Sequence, residues 1–124
     1  MQASGVTKTE RFALIGKAEI AQSLLDEAAR ALNLSRESVQ DIYPSTPLQE
    51  SLVAATMQSP QAYVGQFFYR LSSDIEMSRL RAAWENVVEA HDILRTRFFH
   101  SKSHGMLQVV VKESIDWEQA ESLN

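Results

Sequence analysis

Asp41-Ile42-Tyr43-Pro44-Ser45-Thr46-Pro47-Leu48-Gln49-Glu50 forces a change of local structure within one short run. Pro44 and Pro47 keep Tyr43 and Thr46 out of the helical region, so Ile42 to Thr46 is expected to be extended. Pro47 then suits the first position of a helix, where a missing N–H costs nothing, and the Thr46 hydroxyl can accept the backbone N–H near Gln49. A helix is therefore predicted from Pro47, with Leu48, Leu52, Val53, Ala55 and Thr56 on one side and Ser59-Pro60 closing it.

Upstream, Ile20, Leu24, Ala28, Ala31 and Leu32 recur at three- and four-residue steps in an Ala/Leu/Glu-rich stretch, which predicts an amphipathic helix that Asn33 ends. Met1 to Glu10 is polar and without periodicity, and reads as a disordered or tag-like end. Downstream, Ala62 to Leu71 alternates, with Tyr63, Phe67, Tyr69 and Leu71 on one face and Val64, Gln66, Phe68 and Arg70 on the other. That pattern predicts a strand whose aromatic side chains, with Trp84, belong to a core rather than to a stacking platform. Ser72-Ser73-Asp74 can cap a following helix, whose Met77, Leu80, Trp84, Val87 and His91 form a stripe expected to press on the sheet. Leu94 to His100, a turn over Ser101 to Gly105, and Met106 to Lys112 predict an antiparallel pair with Leu107, Val109 and Val111 buried. Ser114 to Asn124 begins a further segment.

The resulting order is α, α, β, α, β, β. It predicts an α+β fold, helices packed on one face of a small mixed or antiparallel sheet with exposed edges.

Composition narrows the function classes. A chain of 124 residues with 44% hydrophobic and 23% charged residues fits one ordinary domain. No apolar run reaches the roughly 18 residues needed to cross a bilayer, and no secretory leader is recognisable, so a cytoplasmic protein without membrane contact is expected. The net charge of -4 is dispersed, which argues against nucleic acid as a partner. Without cysteine there is no disulfide, thiol catalysis or thiolate metal site. His100 and His104 have the spacing of two helical metal ligands, but Ser101, Ser103 and Gly105 make a turn of that stretch and no third ligand is evident, so no metal is expected.

The first run, together with Ala90-His91-Asp92-Ile93-Leu94-Arg95-Thr96-Arg97-Phe98, resembles the amino-terminal part of the condensation domain of nonribosomal peptide synthetases, the fungal type in particular, over roughly Val39 to Trp117. That domain is a pseudo-dimer of two chloramphenicol-acetyltransferase-like halves. Thr46 and Gln49 match the Ser/Thr and Gln of its first motif. His91, Leu94, Arg95, Thr96 and Phe98 match the second, usually written R-H-E-x-L-R-T-x-F, with Ala90 and Asp92 in place of Arg and Glu. The stretch from Phe12 to Asn33 is similar to the helix joining a preceding carrier domain. The resemblance therefore implies a linker helix over residues 11–38 and a partial chloramphenicol-acetyltransferase-like fold over 39–124.

The family's catalytic signature, H-H-x-x-x-D-G, does not occur in this sequence. By the resemblance, no residue here is catalytic and activity of this chain alone is not expected. Arg95 would pair with the Asp of that signature, outside the chain. Thr46 and Gln49 would line the tunnel region, cap a helix, or do both. His91 is expected to cap or pack. No cofactor would be bound; substrates would arrive on the phosphopantetheine arms of carrier domains. The partners implied are carrier domains and the remainder of the condensation domain. A reading of another class is a noncatalytic interaction module that binds a carrier domain or self-associates through its sheet edge.

Overall fold

The computed structural model describes residues 10–120. Its elements run α1 (Ala18–Ala31), β1 (Val39–Pro44), α2 (Pro47–Gln58), α3 (Met77–Ala90), β2 (Thr96–Ser101) and β3 (Gly105–Val111), with short 3-10 turns at Ala13–Ile15, Arg36–Ser38 and Asp92–Arg95. The fold is α+β, and its three-stranded sheet is wholly antiparallel, in the order β1-β3-β2. The tag-like reading of residues 1–10 and the end of the segment from Ser114 lie, apart from Glu10 and residues 114–120, outside the described residues.

The core forms between α1 and one face of the sheet. Ala21, Leu24, Leu25 and Ala28 pack with Val39, Ile42, Phe99, Leu107, Val109 and Val111. The three- and four-residue recurrence of apolar residues in α1 meets the two-residue alternation of β3, and water is excluded from both. Residues 11–38 thus share a core with the sheet. Asn33, at φ 54°, closes α1: its N–H reaches the Arg30 carbonyl at 3.3 Å and the Leu34 N–H reaches Ala29 at 2.8 Å, the double bond of a Schellman end.

A polar contact adds to this packing at the β2–β3 turn. Ser101, fully buried, donates its hydroxyl to Glu27 of α1 at 3.0 Å, and the Lys102 N–H donates to the other carboxylate oxygen at 3.0 Å. The Lys102 amide, opposed by partial desolvation and helped by Ser101, holds the Glu27 carboxyl below the usual range.

Three expectations need correction. The Ala62–Leu71 strand does not form: residues 65–72 join no ladder, and Tyr63, Phe67 and Tyr69 are 75%, 76% and 80% exposed rather than in a core. A strand with large apolar residues on both faces needs neighbours for its backbone and cover for those residues, and nothing among the described residues supplies them. The α3 stripe does not press on the sheet; α3 buries no residue, and Trp84 is 51% exposed. Ser72 to Asp74 forms a turn, with the Ile75 N–H on the Ser72 carbonyl at 3.2 Å, and α3 starts at Met77 without a side-chain cap. The third strand is instead β1, and the order becomes α, β, α, α, β, β.

The depressed Glu27 carboxyl sets a pH dependence. Its stabilising contribution is complete above the unfolded-state value near 4.5 and is lost as the pH falls through the lower folded-state value. Urea midpoints taken from about pH 6 down to about pH 3 should fall less steeply in Glu27→Gln than in the parent chain.

Candidate functional site

Both motifs converge on the sheet, one at the middle of β3 and the other at its last residue. At the first, Thr46 closes the helix start as the sequence suggests: its hydroxyl accepts the Gln49 N–H at 3.3 Å, and the Gln49 side chain accepts the Thr46 N–H at 2.8 Å. This reciprocal box satisfies two amide donors that α2 would otherwise leave without partners. Gln49 then donates to Gln108 Oε1 at 3.0 Å, and Gln108 donates to the Pro44 carbonyl at 3.1 Å. Gln108 is buried in the central strand, so the relay fixes α2 to both β1 and β3.

The second motif centres on Arg95, whose side chain is 8% exposed. Its Nε donates to the Val88 carbonyl at 2.9 Å. One terminal nitrogen donates to Gln40 Oε1 at 2.8 Å and the Val111 carbonyl at 2.9 Å. The other donates to the Glu89 carbonyl at 3.1 Å and to Asp92 Oδ1 at 2.6 Å. All five donors are thereby used. The guanidinium caps the last turn of α3, where cations are favoured, and ties it to the ends of β1 and β3.

A bulge in β1 makes this possible. The pairing shifts between Val39 and Asp41, leaving Gln40 as the extra residue. Such an insertion re-aims a side chain, and Gln40 meets Arg95. Arg11 donates to the Val39 and Gln40 carbonyls beside it, and the Phe12 N–H reaches Asp41 at 2.7 Å, covering part of the outer edge of β1.

The other motif residues sit around this node. The exposed His91 ends α3, with Nδ1 2.8 Å from the Val87 carbonyl. The Thr96 hydroxyl donates to the Asp92 carbonyl at 2.8 Å, which closes the 3-10 turn into β2. Phe98 is half-buried, and Leu94 is exposed. Within the chain, Asp92, which replaces the motif's Glu, supplies the guanidinium with a carboxylate at 2.6 Å. A cleft of about 560 Å³ lies above the node, between α3, the Asp92–Arg95 turn and the residues after β3. Among the described residues, no three His, Asp or Glu side chains gather as a metal site. No helix there is long and apolar enough to cross a membrane.

Gln40, Gln108 and Glu27 were not singled out from the sequence. Gln40 adjoins the first motif, but only the bulge reveals its direction. Gln108 lies inside an apolar strand run, where a lone amide is the available signal of a buried polar partner.

A model of the condensation-domain family matches residues 39–121. The chain belongs to the condensation-domain family. Its similarity to FR901469 synthetase of Dothideomycetidae sp. is 45% identity over 100 residues, covering 81% of this chain and 1% of that protein. Nonribosomal peptide synthetase dtxS1 of Metarhizium robertsii is 44% identical over 113 residues, 91% of this chain and 1% of the relative. D-lysergyl-peptide-synthetase subunit 2 of Claviceps purpurea is 43% identical over 102 residues, 82% of this chain and 8% of the relative. The chain thus spans between 1% and 8% of the length of these curated relatives. No solved structure matches it. The matched stretch of the condensation domain contains both the Thr46–Gln49 box and the Arg95 node.

Truncating Arg95 should be the costlier lesion. Arg95→Ala removes a donor from three backbone carbonyls and from Gln40 and Asp92, and is expected to cost about 3 kcal/mol by urea titration, against about 1 kcal/mol for Thr46→Ala. Arg95→Lys should restore only part of the loss, because an ammonium cannot reproduce the five-donor fork.

Proposed function

We propose that this chain is the amino-terminal segment of a nonribosomal peptide synthetase condensation domain, serving as scaffold and tunnel wall rather than as the source of the reacting groups. In the complete domain, the amine of an aminoacyl group on one carrier attacks the thioester carbonyl of an acyl or peptidyl group on another. The C–N bond forms as the C–S bond breaks, and the nitrogen's proton leaves with the thiol. The thioesters hang on phosphopantetheine arms and are substrates, not cofactors of this segment. Proton handling in this reaction suits an imidazole. His91 is the motif's histidine, and its ring nitrogen is engaged with a helix carbonyl.

The family match across residues 39–121 carries the reading. The use of Thr46, Gln49 and Arg95 in capping and bracing supports the scaffold role. Carrier domains and the remainder of the condensation domain are the partners, and residues 39–124 are the part that belongs to that domain. Residues 11–38 take the place of the joining segment, docked through α1 rather than loosely tethered. Cytoplasmic residence goes with this reading and is compatible with a chain lacking cysteine.

The exposed Tyr63–Leu71 aromatics favour, as a second reading, a noncatalytic module that self-associates or holds a carrier domain. Sedimentation at high concentration addresses it: a stable monomer counts against self-association.

Turnover with two loaded carrier domains tests the first reading. The chain alone should give no dipeptidyl thioester by mass spectrometry, whereas a complete condensation domain containing it should. Arg95→Ala in the complete domain should lower turnover by about tenfold or more. Product from the chain alone would overturn the reading.

A further inference from the structure

α3 is attached in an unusual way. It buries no side chain, and its main neighbour is the Asp92–Arg95 turn that continues it. Arg95 grips its last carbonyls. Otherwise the clearest ties run to the residues after β3. Glu85 accepts the Ile115 N–H at 3.3 Å and the Trp117 indole N–H at 2.8 Å. One turn earlier, the Arg81 guanidinium lies 5.4 Å from the centre of the Trp117 ring. Arg97 of β2 pairs with Glu113 and anchors the near end of the same segment.

Arg81, Glu85 and Val88 follow four- and three-residue steps and share one side of α3, displaced from the Met77, Trp84 and Val87 stripe. The helix thus meets the rest of the molecule through polar and cation–π contacts. Arg81 Nε is buried without a partner, a local cost that weakens the closed arrangement. Polar ties among partly exposed groups are worth little each, while the α1–sheet core is apolar and closed.

We propose that Lys112–Trp117 is a releasable strap. With Glu85 holding Trp117 and the Ile115 amide, α3 stays against the segment that follows β3. When that bracket opens, α3 hinges about Asp92–Arg95 while α1 and the sheet remain folded. Glu85 is a positioning residue in this device, which does not depend on the condensation-domain role. Local opening of this kind is measured by amide exchange, because units opened separately exchange at different free energies.

The test is hydrogen exchange on the full chain. In Glu85→Ala, α3 amides should exchange about tenfold faster or more, while the slow amides of α1 and β3 keep their parent rates. Trp117→Phe keeps an aromatic ring but loses the indole donor, and should give a smaller change confined to the same helix. Unchanged α3 exchange in both variants would overturn the strap. So would an equal acceleration in α1, β3 and α3, which would make α3 part of one cooperative unit. Retained far-UV circular dichroism and slow β3 exchange identify a folded variant, and loss of both in Glu85→Ala and Trp117→Phe would likewise refute independent release.

Discussion

The guanidinium of Arg95 is where the chain's separate pieces become one object. It reaches the end of α3, the bulged residue of β1, the last residue of β3 and the carboxylate of its own turn. An arginine this deeply enclosed is tolerable only when every donor is met, since an unpaired buried charge costs several kcal/mol. That requirement constrains its neighbours. Gln40 has to be the extra residue of β1, because a regular strand would aim it elsewhere; Asp92 has to be acidic; and α3 has to finish with its carbonyls turned inward.

Around this node the molecule divides by the kind of contact that holds it. α1 and one face of the sheet form a dry core, to which Glu27 and Ser101 add a polar pin. α2 and α3 bury no residue and are held by specific hydrogen bonds, through Gln49–Gln108 on one side and Arg95 and Glu85 on the other. Apolar burial is roughly additive in area and indifferent to small shifts, whereas each hydrogen bond demands its geometry. The α1–sheet half therefore gains bulk stability. The other half gains position.

The same division explains what could be read in advance. Pro44, Thr46, Pro47 and Gln49 act within a few residues, so local rules lead from their sequence to the observed cap. Leu107, Val109 and Val111 alternate in a strand with partners on both sides, and periodicity suffices there. Tyr63 to Leu71 has equally strong alternation but no strand beside it among the described residues, and pattern alone cannot supply one. Trp84 and Val87 mark an apolar stripe correctly; what periodicity leaves out is whether any surface is present to receive it. Gln40, Gln108 and Glu27 depend on contacts across 55, 59 and 74 positions of chain, which no local window contains.

The fold leaves a group of large aromatic side chains uncovered. Tyr63, Phe67, Phe68 and Tyr69 lie between 75% and 80% exposed, beside helices that bury nothing. Each large aromatic withdrawn from water is worth about 2 kcal/mol, so a surface closing over four of them would gain on the order of 8 kcal/mol before ordering costs. Fixing the ten residues 62–71 would cost about 10 to 20 kcal/mol of conformational entropy, at about 1 to 2 kcal/mol for each residue ordered. Apolar cover over the aromatics alone falls short of that cost, so the segment is unsupported in this chain and would be fixed only by a covering surface that also pairs its backbone. Such a stretch joins a larger domain only where hydrogen-bonding partners and apolar cover arrive together, and that coincidence is a more selective demand than hydrophobicity alone.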